Sequence, residues 1–127
     1  MRAMIDTSAL IGVIPDDVIS SVDDFAASYV VRAELLRGQR RWERDPAMQQ
    51  RAGVRAQLVS AFDDLGTFWR PFGVAESEAY SRLAAASEAA VRSMDAFIAA
   101  HAIAAGVPLL TADRGFTRFD DLDIRYV

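Results

Sequence analysis

The side chains in this sequence that could carry acid–base or metal chemistry are almost all carboxylates. The 127 residues include 18 aspartates and glutamates, and the 14 basic residues are all arginine. Lysine and cysteine are absent, and His101 is the single histidine. These absences exclude P-loop nucleotide sites, Schiff-base chemistry, thiolate nucleophiles, zinc fingers and iron–sulfur clusters. If the protein is an enzyme, its carboxylates are therefore expected to carry the chemistry.

Two of these carboxylates lie just past apolar, strand-like runs. Asp6 comes after residues 3–5, and Asp113 comes after residues 107–111. In open parallel sheets, ligands bind beyond the carboxyl ends of the strands, which makes both acids candidates for a functional site. Each also has a simpler structural interpretation, as a helix cap or a turn residue.

The elements that must position these acids alternate along the chain. Strand-like runs occupy residues 3–5, 25–30, 67–72, 107–111 and 123–127. Helical patterns occupy residues 31–38, 46–65, 75–90 and 94–105. Asp45 and Ser93 are expected to cap the start of two helices, and Gly38 and Gly106 to end two. The alternation predicts one α/β domain over residues 1–127, with three α/β/α layers and a mostly parallel central sheet of about four to five strands.

Two further acids have ordinary explanations when each is taken singly. Asp95 lies in the first turn of a predicted helix, where the helix dipole favours a carboxylate. Glu34 lies in a helix rich in arginine, so a solvent-exposed ion pair would account for it. None of the four acids is diagnostic by itself.

Four short motifs occur in order along the chain: MIDTSALI at residues 4–11, YVVRAELLRG at 29–38, MDAFIAAHA at 94–102 and LLTADRGF at 109–116. Through these motifs the sequence resembles the PIN-domain family over nearly its whole length, and within that family the VapC-type toxins of bacterial toxin–antitoxin pairs. Each motif is weakly specific, whereas four in this order are strongly so.

The resemblance implies a PIN-like fold and an endoribonuclease that hydrolyses the phosphodiester bonds of RNA with Mg²⁺ or Mn²⁺. The acids that it implies as catalytic and metal-binding are Asp6, Glu34, Asp95 and Asp113. Thr111 would be a supporting hydroxyl beside the last of them. The implied partners are an RNA substrate and a cognate VapB-type antitoxin, and members of the family usually form homodimers.

Such a donor set suits this chemistry on independent physical grounds. Mg²⁺ and Mn²⁺ are hard cations that prefer carboxylate and water oxygens. A bound cation lowers the pKa of a water molecule and neutralises charge at the scissile phosphate. Carboxylates gathered without a cation repel one another, which raises some of their pKa values.

Arginines are concentrated between residues 32 and 55, where seven arginines and three acids give a local net charge of +4 within a chain of net charge −4. This segment could grip RNA phosphates, with Trp42 stacking on a base, could hold an acidic tail of the antitoxin, or could be a solvated helix surface. The overall negative charge argues against broad, non-specific binding to duplexes. The candidate binding residues are Arg37, Arg40, Arg41 and Arg44.

His101 follows Asp95 by six residues and so lies on a different face of the helix, which favours a packing or surface role. The longest stretch without charge, residues 96–112, is shorter than the roughly 20 residues that cross a bilayer. Asp6 interrupts the region where a signal peptide would be apolar. We therefore expect a soluble, cytoplasmic protein without membrane association. The alternative function is a non-catalytic PIN-fold module that binds RNA or protein.

Overall fold

A central sheet of five parallel strands organises the protein. The computed structural model describes residues 1–86 and 93–127. The strands are β1 (Arg2–Ile5), β2 (Asp24–Ser28), β3 (Trp69–Arg70), β4 (Leu109–Thr111) and β5 (Ile124–Tyr126). They lie in the order β3-β2-β1-β4-β5, and every neighbouring pair is parallel. Helices cover both faces, so the predicted three-layer α/β class is confirmed.

In the described residues, six α-helices connect and flank these strands. They are α1 (Thr7–Ile11), α2 (Asp16–Ser21), α3 (Tyr29–Glu43), α4 (Gln49–Asp63), α5 (Val74–Ala86) and α6 (Met94–Ala105). Short 3-10 helices span Pro46–Met48 and Arg114–Arg118. Helix α3 packs against α4, and α5 packs against α6.

Local signals explain where several helices begin and end. The backbone N–H of Ala9 donates to Asp6 Oδ1 at 2.9 Å and so caps α1. Ser93 caps α6 in the same way, accepting from the N–H of Ala96 at 3.3 Å. Gly106 ends α6 at φ +68°, a left-handed conformation that glycine adopts without steric cost. These predicted ends of α6 are confirmed.

The predicted end of a helix at Gly38 is wrong. Helix α3 continues through this glycine to Glu43. A Cβ atom at Gly38 would lie 3.1 Å from Nη1 of Arg55, which reaches across from α4. The glycine therefore leaves room for the end of the Arg55 side chain, a contact that the pattern of α3 alone does not reveal.

Four of the five predicted strands are shorter than expected: 107–111 is reduced to Leu109–Thr111 and 123–127 to Ile124–Tyr126, and the other two are 25–30 and 67–72. The run at 25–30 ends as β2 at Ser28, whose hydroxyl accepts from the N–H of Val30 and starts α3. Only two residues of the run at 67–72 form a strand, β3, because β2 offers no partner beyond Ser28 and Pro71 has no N–H to donate. Residues 87–90 of the predicted helix 75–90 lie outside the described residues.

The 3-10 helix that follows β4 is anchored in the core by two aromatic side chains. Phe116 and Phe119 are buried, with ring centroids 5.9 Å apart. This anchoring holds the short segment between them against the sheet. Within the described ranges, no helix combines the length and apolar character that crossing a membrane requires.

His101 packs inside the protein, in agreement with a packing role. Its side chain is 4 % exposed, and its ring lies edge-on to Phe72 with centroids 5.8 Å apart. Its Nε2 lies 3.6 Å from Oε1 of Glu76. Burial lowers the pKa of His101 below its ordinary value of 6.5, an effect that Glu76 opposes and Arg70 reinforces.

We expect the protonation midpoint of His101 in the folded protein to lie below 6.5, followed by NMR as the signal of the only histidine in the chain. Because the folded state then binds this proton less readily than the unfolded chain, the contribution of His101 to the free energy of unfolding decreases as the pH falls below about 6.5. Glu76→Gln should lower the midpoint further. A midpoint at or above 6.5 would contradict the dominance of burial.

Candidate functional site

The four acids singled out from the sequence line one cleft of about 250 Å³. Asp6 and Asp113 follow β1 and β4, which are neighbours in the sheet with Ile5 paired to Leu110. Both acids therefore leave the sheet at the same edge. Glu34 on α3 and Asp95 at the start of α6 complete the acidic wall of the cleft.

Asp6 is the most enclosed of the four acids, with 3 % of its surface exposed. Its carboxylate accepts hydrogen bonds from Thr111 Oγ1 at 2.6 Å, from Ser8 Oγ at 2.9 Å and from the N–H of Ala9 at 2.9 Å. Burial raises the pKa of Asp6, these hydrogen bonds oppose the rise, and the charge of Asp113 adds to it. Asp6 is thus held in one orientation.

Two hydroxyls connect this carboxylate to β4. Thr111 is fully buried, and its Oγ1 also accepts from the N–H of Asp113 at 2.9 Å. Ser8 Oγ accepts from the N–H of Ala112 at 3.0 Å, across 104 residues of sequence. Thr111, which the resemblance implied as a supporting hydroxyl, therefore lies between two of the acids.

Glu34 does not form the exposed ion pair that its arginine-rich helix suggested. It is partly buried, and its Oε1 accepts a hydrogen bond from Thr7 Oγ1 at 2.7 Å. Burial raises the pKa of Glu34, the hydrogen bond from Thr7 opposes the rise, and the charges of Asp95 and Asp6 add to it. The three acids are therefore close enough to repel one another.

Asp95 and Asp113 also have donors within the protein. Arg118 Nη2 lies 3.3 Å from Oδ2 of Asp95. The N–H of Gly115 donates to Asp113 Oδ1 at 2.8 Å, so this acid caps the following 3-10 helix as its sequence position suggested. Every acid of the cleft therefore has at least one donor from the protein itself.

The carboxylate oxygens of the four acids are suitable ligands for a divalent cation, whereas the present positions of the acids are less suitable. In the part of the chain that the structure describes, no three or more histidine, aspartate or glutamate side chains are placed to hold a metal ion. The donors are all carboxylate oxygens, which hard cations prefer, and the mutual repulsion of the acids is what a cation would relieve. The residues that would hold it are Asp6, Glu34, Asp95 and Asp113.

The candidate arginines separate into two kinds. Arg37 and Arg41 follow Glu34 on α3 by three and seven residues, and line a groove of about 180 Å³ with Glu34 and Gly38. Glu34 also lines the acidic cleft, so the groove lies next to the cleft. Arg40 is instead paired with Glu43 at 3.0 Å.

The end of α3 carries the other two candidates for RNA contact. Arg44 is exposed at the C-cap of the helix. Trp42 lies against the guanidinium of Arg55, whose carbon is 4.8 Å from the ring centroid. One face of this indole is therefore covered by Arg55, which leaves less of it for a base than the sequence suggested.

The family model of the PIN domain matches residues 3–122. The chain belongs to the PIN-domain family. The solved structures to which this PIN domain is similar include VapBC-5 from Mycobacterium tuberculosis, at 24% identity and a TM-score of 0.80 over 100% of both chains. Another is VapBC-1 from nontypeable Haemophilus influenzae, at 19% identity and a TM-score of 0.76 over 99% of this chain and 98% of that one.

A third similar structure is VapBC2 from Rickettsia felis bound to a DNA fragment from their promoter, at 21% identity and a TM-score of 0.70 over 100% of this chain and 99% of that one. No curated protein matches the sequence. At these identities the likeness concerns the PIN fold itself.

Sequence reasoning missed three residues that contact the acids of this PIN domain: Thr7, Ser8 and Arg118. Thr7 and Ser8 stand beside Asp6 in MIDTSALI, which is the only local signal for them. No local signal marks Arg118, because its contact with Asp95 joins segments 23 residues apart.

We expect Thr111→Val to lower the free energy of unfolding by about 1–3 kcal/mol, because the isosteric change leaves the buried Asp6 carboxylate and the N–H of Asp113 without this partner. Thr117→Val is the matched control. Its hydroxyl donates to the carbonyl of Arg114 on the surface, so the change should stay within about 0.5 kcal/mol. Urea denaturation measures both, and equal small effects would contradict the role assigned to Thr111.

Proposed function

We propose that residues 1–127 form a single nuclease domain, the VapC-type toxin of a type II toxin–antitoxin pair. In this proposal it hydrolyses the phosphodiester bonds of RNA as a metal-dependent endoribonuclease. One observation carries the proposal: four acids from four separate segments line one cleft of a PIN domain. Similar folds in solved VapBC structures support the toxin assignment.

The roles of the acids follow from their contacts. When bound, Mg²⁺ or Mn²⁺ supplies charge neutralisation and water activation at such a site. Asp6, Asp95 and Asp113 are the proposed principal ligands, and Thr111 and Ser8 hold Asp6 in orientation. Glu34, whose pKa is raised, positions the attacking water or contributes to a second ion.

The groove of Arg37 and Arg41 gives the substrate a path to these acids. An RNA strand that follows the groove from Arg41 past Arg37 reaches Glu34 and then the cleft. Guanidinium groups bind phosphate oxygens in pairs, which suits them to guide a backbone rather than to read a sequence. We therefore assign RNA guidance to these two arginines ahead of Arg40 and Arg44.

Apolar surface beside the acidic cleft supports a protein partner. Ile11 lines the cleft and is 52% exposed, and Val13, two residues further along the chain, is 90% exposed. Exposed apolar residues beside a site are typical of interaction surfaces. We propose that a cognate VapB-type antitoxin covers this region. A homodimer and a cytoplasmic location stay predictions.

One observation favours the alternative of a non-catalytic module that binds RNA or protein. As placed, the acids within the described ranges do not gather around a single point where an ion would sit. Such a module would keep the groove of Arg37 and Arg41 and would bind RNA without cleaving it. The two functions therefore differ in one measurable outcome.

We expect the wild-type protein to cleave a total RNA pool with Mg²⁺ or Mn²⁺ and to lose this activity in EDTA. Asp95→Asn should lower cleavage by about 100-fold or more, since changes to groups that merely support a metal ligand already cost about 10- to 100-fold. The control is Glu78→Gln, which removes one negative charge from an exposed position on α5 and should leave cleavage unchanged.

Gel electrophoresis of the RNA separates the possible outcomes. Intact RNA under every metal condition would contradict the nuclease and favour the non-catalytic module. Cleavage by Asp95→Asn at the wild-type rate would contradict the assignment of the site and leave the activity to be placed elsewhere.

For the groove, we expect Arg37→Ala with Arg41→Ala to weaken binding of a short single-stranded RNA in EDTA and to flatten its salt dependence. Loss of two phosphate contacts should reduce the slope of log K against log salt by about 1.4. Arg82→Ala with Arg125→Ala removes the same charge from exposed residues on α5 and β5. Equal slopes in the two double variants would identify the groove as ordinary solvated surface.

A further inference from the structure

Arg118 brings a positive charge to Asp95, one of the four acids that line the cleft. Its Nη2 donates to Ser93 Oγ at 3.0 Å and lies 3.3 Å from Asp95 Oδ2. Its Nη1 donates to the carbonyl oxygen of Gly115. Its guanidinium carbon lies 4.4 Å from the centroid of the Phe119 ring. About a third of the side chain is exposed, so the group stays accessible from solvent.

These contacts divide into an anchor and an exchangeable contact. Ser93, Gly115 and the buried ring of Phe119 hold the guanidinium in place without the carboxylate. The contact with Asp95 is the longest of the three hydrogen bonds, and charged hydrogen bonds are normally shorter than this. If Asp95 turned away, Arg118 would therefore stay at the rim of the cleft with its donors directed at a free position.

A cation and Arg118 compete for the same carboxylate. Two positive charges on one aspartate repel each other, and the partial exposure of the pair reduces this repulsion without abolishing it. A cation bound by Asp95 thus weakens the hold of Asp95 on Arg118. The guanidinium, with five donors and no acceptor, is then free to bind another anionic partner.

We propose that Arg118 is a phosphate-binding residue that is paired with Asp95 while no divalent cation is bound. Once a divalent cation occupies Asp95, Arg118 contacts a backbone phosphate of RNA. This inference rests on the proposed function, and it adds a residue and an order of binding to it. A backbone phosphate is the anion that an RNA substrate brings to the cleft, and arginine binds its oxygens in pairs. Asp95 and the phosphate therefore use the same guanidinium in turn.

A merely structural Arg118 would behave differently. If it only ties the 3-10 helix Arg114–Arg118 to the start of α6, its replacement would disorder Asp95 and weaken cation and RNA binding together. If Arg118 exchanges between Asp95 and a phosphate, its replacement changes the two affinities in opposite directions. The cation binds more tightly because a competitor is gone, and RNA binds more weakly because a phosphate contact is gone. The opposite signs are the readout that separates the two roles.

The test compares wild type with Arg118→Gln, Arg118→Lys and Arg125→Gln. Arg125, on β5, is the matched control, because it pairs with Asp123 at the same 3.3 Å and neither residue lines the acidic cleft. Mn²⁺ affinity is measured by titration calorimetry without RNA. RNA affinity is measured by fluorescence anisotropy with Mn²⁺ present, using a short 2′-O-methyl RNA that resists cleavage.

In Arg118→Gln we expect Mn²⁺ to bind about fivefold more tightly at low salt, with the gain shrinking at high salt. RNA should bind about tenfold more weakly, as expected for one lost charged hydrogen bond. Arg118→Lys keeps the charge but loses the paired donors, so Mn²⁺ affinity should stay at the wild-type value while RNA affinity falls. Arg125→Gln should change neither affinity.

Unchanged or weaker Mn²⁺ binding in Arg118→Gln would overturn the exchange, as would unchanged RNA binding. If Arg118→Gln fails to fold, Arg118→Lys decides the question, and wild-type RNA affinity in that variant would overturn the proposal. Failure of the wild-type protein to bind Mn²⁺ at all would overturn the metal site of the proposed function together with this inference. That result is distinct, because it appears before any variant is made.

Discussion

The hydrogen bond from Thr111 to Asp6 joins the end of β4 to the end of β1, and the geometry of the cleft depends on it. A buried carboxylate is tolerated only when donors surround it, and Thr111, Ser8 and the N–H of Ala9 supply them. Because β1 and β4 are parallel neighbours, Asp113 must then lie beside Asp6. The sheet thus brings like charges together, and the rest of the site has to compensate for that.

The compensation comes from neutral and cationic donors distributed over the surrounding helices. Thr7 at the start of α1 holds Glu34, and Arg118 holds Asp95. A cluster of acids that has its own hydrogen-bond donors is stable without a cation. Because each carboxylate faces its own donor, the acids converge less closely than a bound cation requires. The loosest of these contacts, that of Arg118 with Asp95, is the one from which an acid is most easily released. The same few hydrogen bonds therefore determine how stable the cluster of acids is and how easily one acid is released to bind a ligand.

Much of the fold could be predicted from the sequence because its signals are local. Asp6, Ser93 and Gly106 mark the ends of helices through contacts within a few residues, and apolar runs mark the five strands. Two errors arose where a distant element decides. Helix α3 continues through Gly38, where Arg55 from α4 contacts it, and the strand predicted at 67–72 is cut to two residues because β2 offers no further partner.

For the site, the sequence by itself determined the kind of chemistry. With no lysine, no cysteine and one histidine, carboxylates were the expected carriers of the chemistry, and four of them stood in motifs that resemble the PIN-domain family, to which the chain belongs. The tertiary structure alone decided how those acids are held. Ser8 reaches β4 across 104 residues, Arg118 reaches α6 across 23, and Glu34 turns from its neighbouring arginines to Thr7. The reason is physical: residue types limit which reactions are possible, whereas hydrogen bonds between distant segments exist only after the sheet has brought those segments together.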